Sequence, residues 1–130
     1  MNLLFDSHIL IWWAEGSRRI GRRSHKAVEE QNASVFISSA SVWELAIKSS
    51  IGKLKLKRPL EDTITRLMDY GFRSLPIENR HALAVQHLPA HHADPFDRML
   101  VAQAQCEDLT ILTADAAIKA YDVRTLDAGE

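Results

Sequence analysis

An α/β fold, with a parallel sheet of about five strands covered by helices on both faces, is what this sequence predicts. Three observations point there. Short apolar runs such as Asn2–Phe5 and Val35–Ile37 lack the polar alternation of a half-exposed strand, so they read as strands buried on both sides. They alternate along the chain with segments that carry helix starts and stops. No repeat, low-complexity stretch or linker divides the 130 residues, a length suited to one core and a single domain over 1–130.

Asn2–Phe5 opens the chain as a strand, and Ser7 to about Trp13 follows as a short apolar helix. Ser17 is placed to cap a polar helix through about Gln31. Val35–Ile37 is the second strand, and a helix from about Val42 to Ser50 closes near Gly52. Pro59 fits the first turn of a helix through about Asp69, with Gly71 as its stop. Phe72–Leu75 reads as a strand and Glu78 to about Gln86 as a short helix. Pro95 opens a helix lasting to about Glu107. Thr110–Leu112, Ala116–Ala120 and Val123–Leu126 then read as strand, short helix and strand.

The composition, 46% hydrophobic and 25% charged, is globular and argues against disorder. No apolar run approaches the roughly 18 residues of a membrane span. The opening has neither the basic start nor the cleavage site of a signal peptide, so a cytoplasmic protein is expected. The lone Cys106 cannot form an internal disulfide, which suits a reducing compartment. The net charge of −1 is unevenly spread. Residues 1–93 hold 13 Lys/Arg against 9 Asp/Glu, whereas residues 94–130 hold 3 against 8. Basic runs at Arg18, Arg19, Arg22, Arg23 and Lys26, and at Lys48, Lys53, Lys55, Lys57 and Arg58, suit a polyanionic ligand as well as they suit solvated surface.

Four carboxylates fall where strands end and the next helices begin. Asp6 follows the first strand, and Asp115 follows Thr110–Leu112 in Leu112–Thr113–Ala114–Asp115. Glu44 is placed in the first turn of the helix after Val35–Ile37, and Asp97 in the first turn of the Pro95 helix. In a parallel sheet those points share one edge, so four distant segments can converge. Convergence raises carboxyl pKa values by like-charge repulsion, and a divalent cation such as Mg²⁺ or Mn²⁺ relieves it. Such an ion acidifies a bound water and stabilises charge on a phosphoryl oxygen, the equipment of phosphodiester hydrolysis.

Each position also has a structural explanation. Ser41-x-x-Glu44 is a capping box. Asp94–Pro95–Phe96–Asp97 is a cap, a proline at the first helical position and an acid favoured by the helix dipole, and for Asp94 the cap is the preferred reading. Asp97 differs, because helical periodicity puts it on one face with Leu100, Val101 and Ala104, where a carboxylate needs a partner or a metal. Asp6, ending a buried strand, has the same claim, while Asp115 is equally an ordinary cap. His87, His91 and His92 are interrupted by Pro89 and read as loop residues rather than a zinc site. His8 either touches substrate or packs. Trp12, Trp13 and Trp43 read as core or interface.

These segments resemble the PIN-domain family, and within it the toxins of VapC-type toxin–antitoxin pairs. Leu3–Leu4–Phe5–Asp6–Ser7–His8 is similar to the family's opening, with Ser7 where threonine is commoner. Ser38–Ser39–Ala40–Ser41–Val42–Trp43–Glu44 resembles the segment carrying its glutamate. His91–His92–Ala93–Asp94–Pro95–Phe96–Asp97–Arg98–Met99–Leu100–Val101–Ala102–Gln103–Ala104 resembles the motif in which an aspartate opens the helix, here Asp97, and Thr113-x-Asp115 the final acid. The likeness spans essentially the whole chain.

The resemblance implies Asp6, Glu44, Asp97 and Asp115 as the catalytic acids, with Mg²⁺ or Mn²⁺ held chiefly by Asp6 and Asp97. Ser7, Asp94, Arg98 and Thr113 stand beside them as supporting or substrate-contacting candidates. It implies cleavage of RNA by a metal-activated water, a homodimer, and a small antitoxin protein as partner. A haloacid-dehalogenase-type phosphatase would need an aspartate where His8 stands, and a receiver domain would need an acid where Ser38 and Ser39 follow the second strand. A housekeeping RNA-processing PIN nuclease and a non-catalytic PIN-like binding module remain as alternatives.

Overall fold

The computed structural model describes residues 1–130. Its elements run β1 (Asn2–Phe5), α1 (Ser7–Ala14), α2 (Arg22–Glu29), β2 (Ser34–Ser38), α3 (Ser39–Ser50), α4 (Leu60–Tyr70), β3 (Arg73–Leu75), α5 (Asn79–Val85), α6 (Pro95–Glu107), β4 (Thr110–Thr113), α7 (Ala116–Lys119) and β5 (Thr125–Asp127). The five strands form one parallel sheet in the order β3-β2-β1-β4-β5. The expected α/β architecture is therefore present, with the expected number of strands.

The sheet is buried on both sides because successive strand residues face opposite ways. Leu3 and Phe5 of β1 pack in one cluster with Val35, Ile37, Leu112 and helix residues Ile9, Leu10, Val28 and Leu67. Leu4, between them, packs in the other with Leu75, Ile111 and helix residues Leu100, Val101, Ala104 and Ile118. Helices α1, α2 and α4 thus cover one face and α6 and α7 the other. Register places Leu4 opposite Phe36 of β2 and Ile111 of β4, so β1 is the centre of the sheet. The chain builds outward from β1 to β3, then returns to the other side of β1 for β4 and β5. Beside β1 the order reverses, and there the carboxyl ends of strands leave an open crevice.

Three element starts differ by two residues or more from those read in the sequence. The α2 helix begins at Arg22 behind Gly21, not after Ser17. Ser17 instead accepts from the Arg19 N–H at 3.2 Å in a local turn. Gly21 is needed because the C-terminal segment crosses it: its N–H donates to Ala128 O at 2.8 Å, and a Cβ there would lie 2.3 Å from the Glu130 carbonyl carbon. The α3 helix begins at Ser39, three residues earlier than expected, because Ser38 caps it by accepting from the Ala40 N–H at 3.0 Å. The Ser41-x-x-Glu44 capping box is therefore absent, Glu44 lies in the second turn, and buried Ser41 Oγ has no hydrogen-bond partner. The last strand begins at Thr125, two residues later than expected. The Pro95–Glu107 helix and the left-handed stop at Gly71 stand where the sequence put them. No helix is long and apolar enough to cross a membrane.

Candidate active site

The crevice at the switch edge is a small pocket of about 80 Å³ lined by Asp6, Glu44, Asp94, Asp97 and Asp115 with Ser7, His8 and Lys48, and by no hydrophobic residue. All four acids read as catalytic from the sequence line it, together with Ser7 and Asp94. Thr113 and Arg98, the other two candidates, do not line it: Thr113 bonds to Asp6, and Arg98 lines a separate apolar cavity.

Asp6 ends β1 and caps α1. Its Oδ1 accepts from the Ile9 N–H at 3.0 Å, and its Oδ2 accepts from the Thr113 hydroxyl. Thr113 ends β4, so this bond ties the two strands that flank the reversal of sheet order. The same Thr113 oxygen accepts the Asp115 N–H at 2.9 Å. Asp115 is an exposed cap of α7, accepting from the Ala117 N–H at 2.9 Å, and still faces the pocket. The cap and the site readings of Asp115 hold together.

Glu44 is buried, held by the Ser7 hydroxyl at Oε1 and by Lys48 Nζ at 2.7 Å from Oε2. Glu44 and Lys48 are an (i, i+4) pair on α3, a spacing visible in the sequence. Lys48 therefore belongs to the site, whereas the rest of its basic run, Lys53, Lys55, Lys57 and Arg58, is exposed.

Asp94 caps α6 through Oδ1, accepting from the N–H groups of Phe96 and Asp97 at 2.9 and 3.2 Å. Asp97 projects from the first turn on the face of Leu100, Val101 and Ala104, all buried. One of its oxygens, Oδ2, lies 3.2 Å from His92 Nε2. His92 is the residue that sequence reading missed, because only the folded loop brings it back onto Asp97. Arg98 turns away to donate to Pro89 O at 2.7 Å and Tyr121 OH at 3.1 Å.

Burial raises the Asp6 carboxyl above its ordinary pKa, and the Thr113 and Ile9 donors only partly offset that. Asp97 is pushed up to about 7, chiefly by burial and then by the negative charge of Asp94. Asp115 and Glu44 add to the same repulsion. Lys48 is the one Lys or Arg lining the pocket, and it is engaged by Glu44. Hard oxygen donors gathered on rigid strand and helix ends, with their repulsion unrelieved, fit a divalent cation of the Mg²⁺ or Mn²⁺ kind.

A second cluster brings Glu78, His81 and Glu107 within 4.8 Å of one another. Its hydrogen bonds occupy the imidazole lone pair, and its carboxylates already face a cation. His81 Nδ1 accepts the Glu78 N–H at 3.0 Å, so the ring proton sits on Nε2 and is given to Glu107 at 3.1 Å. Arg80 pairs with both glutamates. This cluster is a satisfied structural network.

The PIN domain family model matches residues 3–124. The chain belongs to the PIN domain family. Among curated relatives it is 24% identical over 120 residues to the Mycobacterium tuberculosis protein Ribonuclease VapC22, covering 92% of this chain and 91% of that one. Among solved structures it superposes on VapBC2 from Rickettsia felis, bound to a DNA fragment from its promoter, with a TM-score of 0.70 at 14% identity over 97% and 98% of the two chains. It also superposes on VapBC-1 from nontypeable Haemophilus influenzae, with a TM-score of 0.65 at 17% identity over 100% of both.

Proposed function

We propose that this chain is a Mg²⁺- or Mn²⁺-dependent endoribonuclease, the toxin of a toxin–antitoxin pair acting in the cytoplasm. The observation that carries this reading is the gathering of Asp6, Glu44, Asp97 and Asp115, from four separate segments, in one wholly polar pocket at the switch edge. The relatives named Ribonuclease VapC22 and VapBC support the substrate class and the pairing with an antitoxin.

Asp6 and Asp97 are the residues that would hold the cation, since each is fixed by neighbours and neither has a lysine or arginine paired with it. When bound, the ion supplies positive charge at the scissile phosphoryl group and acidifies the attacking water. Water oxygen bonds to phosphorus, the bond to the 3′ oxygen breaks, and a 5′-phosphate and a 3′-hydroxyl result. Glu44 and Asp115, which line the same pocket, orient that water and accept its proton. Lys48, 36% exposed at the pocket mouth, is placed to meet a phosphate of the incoming strand. The exposed lysines at 53, 55 and 57 are available to further phosphates of the strand.

Two protein partners accompany the reading, a second copy of the chain and a small antitoxin. Both need surface beyond the pocket. The α3 helix and its C-cap offer Trp43, Ile47 and Ile51, four residues apart and 38–60% exposed, and Trp43 also lines an apolar cavity of about 320 Å³.

The test is cleavage of total cellular RNA by the purified protein with Mn²⁺ or with EDTA, beside Asp97→Asn. Discrete products that require both the metal and Asp97 are expected. Full activity in a folded Asp97→Asn variant would refute the assignment.

A further inference from the structure

We propose that His92 is a positioning residue for Asp97, aimed by Tyr121 and Arg98 so that its Nε2–H fixes one carboxylate oxygen and leaves the other to the pocket. The inference rests on the reading of Asp97 as a metal ligand.

The directions of the hydrogen bonds follow from what each group can do. Arg98 has only donors, so at 3.1 Å its NH1 gives a proton to the Tyr121 oxygen. Tyr121 is buried, and its own proton is left for His92 Nδ1, 2.8 Å away. With Nδ1 accepting, the neutral ring carries its proton on Nε2, which faces Asp97 Oδ2 at 3.2 Å. With the ring neutral and Asp97 ionised, as a metal ligand is, the carboxylate can only accept, so the proton on Nε2 and the Tyr121 hydroxyl donating to Nδ1 follow together.

The supports are equally defined. Arg98 is anchored on the carbonyls of Pro89 and Val85, at 2.7 and 3.3 Å, so it pins the segment from which His92 projects. His91 packs edge-on against the Tyr121 ring, centroids 4.7 Å apart. Arg98 follows Asp97 directly on α6, so the loop that carries His92 and the helix that carries Asp97 are locked as one unit.

The arrangement answers a need that Asp6 does not have. Both Asp6 oxygens are held, by Ile9 N–H and by Thr113. Asp97 sits among like charges on an otherwise apolar helix face, and His92 is the donor that sets its rotamer. Outer partners of this kind typically change metal affinity or activity by about 10–100-fold when removed.

The test measures Mn²⁺ binding to the otherwise intact protein by the loss of the free-ion paramagnetic resonance signal, together with kcat and KM on an RNA oligonucleotide. Tyr121→Phe keeps the aromatic packing and removes only the hydroxyl that fixes the tautomer. His92→Ala removes the donor, and His92→Gln restores one. Mn²⁺ affinity is expected to fall about 10-fold or more in His92→Ala, less in Tyr121→Phe, and to recover in His92→Gln. The loss should appear in kcat rather than KM. At high pH the His92 ring nitrogens should show the Nε2–H form in the parent and lose that preference in Tyr121→Phe, with no metal present. Unchanged Mn²⁺ affinity in folded His92→Ala and Tyr121→Phe, with binding abolished in Asp97→Asn, would overturn the positioning role alone. Unchanged affinity in Asp97→Asn as well would overturn the metal-site reading beneath it.

Discussion

Two acidic clusters sit on this chain, and they differ in what surrounds the carboxylates. Around Glu107, Arg80 and the His81 ring proton meet the negative charge, and the carboxyl is held below its ordinary pKa by His81 first and Arg80 second. Around Asp97, burial and three neighbouring acids push the carboxyl the other way, to about 7. The first cluster is complete as it stands. The second carries a cost that protonation of Asp97 or an added cation would remove. The charge of the first cluster is met by Arg80 and His81, whereas the acids at the switch edge have Lys48 alone, paired with Glu44.

The largest effect expected from breaking this contrast is in catalysis. Asp97→Asn or Asp6→Asn should reduce cleavage by orders of magnitude while the protein still folds, since asparagine caps α1 nearly as well as aspartate at position 6. Circular dichroism and a cleavage assay on the same preparations check both halves.

Stability against pH should separate the clusters next. Asp97 is raised from 3.8 to about 7, so its contribution is fully present below 3.8 and is lost as pH rises through 7. Without metal the protein should melt lower at pH 8 than at pH 5, by an amount on the order of 2–4 kcal/mol from this residue. Asp97→Asn should flatten that slope, and Mn²⁺ should restore stability at pH 8. Glu107 has the opposite sign: its lowered pKa gives stability above the usual carboxylate range that is lost as pH falls. A melting temperature in Asp97→Asn that still drops between pH 5 and 8 as in the parent would break the comparison.

A smaller effect is expected at the far cluster. Glu107→Gln should cost about 1 kcal/mol through weakened bonds to Arg80 and His81, and leave cleavage and Mn²⁺ affinity unchanged. A fall in Mn²⁺ affinity in that variant would move the metal to Glu78, His81 and Glu107.

How much of this was legible in the sequence depends on how local each signal is. Asp6, Asp97 and Asp115 were readable because strand ends and helix starts are written in adjacent residues, and a parallel sheet assembles those ends on one edge. Glu44 reaches the pocket from the second turn of α3 rather than the first, because Ser38, not Ser41, caps the helix, which begins three residues before its apolar pattern announced. Lys48 was visible as an (i, i+4) partner but was read only as one of a run. His92 was not legible at all. Its link to Asp97 depends on Arg98 drawing the 85–92 segment back, and on Tyr121, 29 residues further on, accepting from one and donating to the other. Hydrogen bonds between distant segments leave no periodicity.

The smallest change is expected at Asp94, and it sharpens the contrast. Asp94 uses Oδ1 alone to cap α6, and an asparagine oxygen can accept the same two N–H groups. Asp94→Asn should therefore alter stability by less than about 0.5 kcal/mol through the cap. It also removes the negative charge that, after burial, contributes most to raising the Asp97 carboxyl. The Asp97 pKa should fall towards its ordinary range, and the metal-free stability loss between pH 5 and 8 should shrink without any change in fold. Cleavage should stay within a few-fold of the parent, because Asp97 keeps its place on α6 and its bond to His92. A loss as large as that of Asp97→Asn would make Asp94 a ligand in its own right rather than the charge that primes its neighbour.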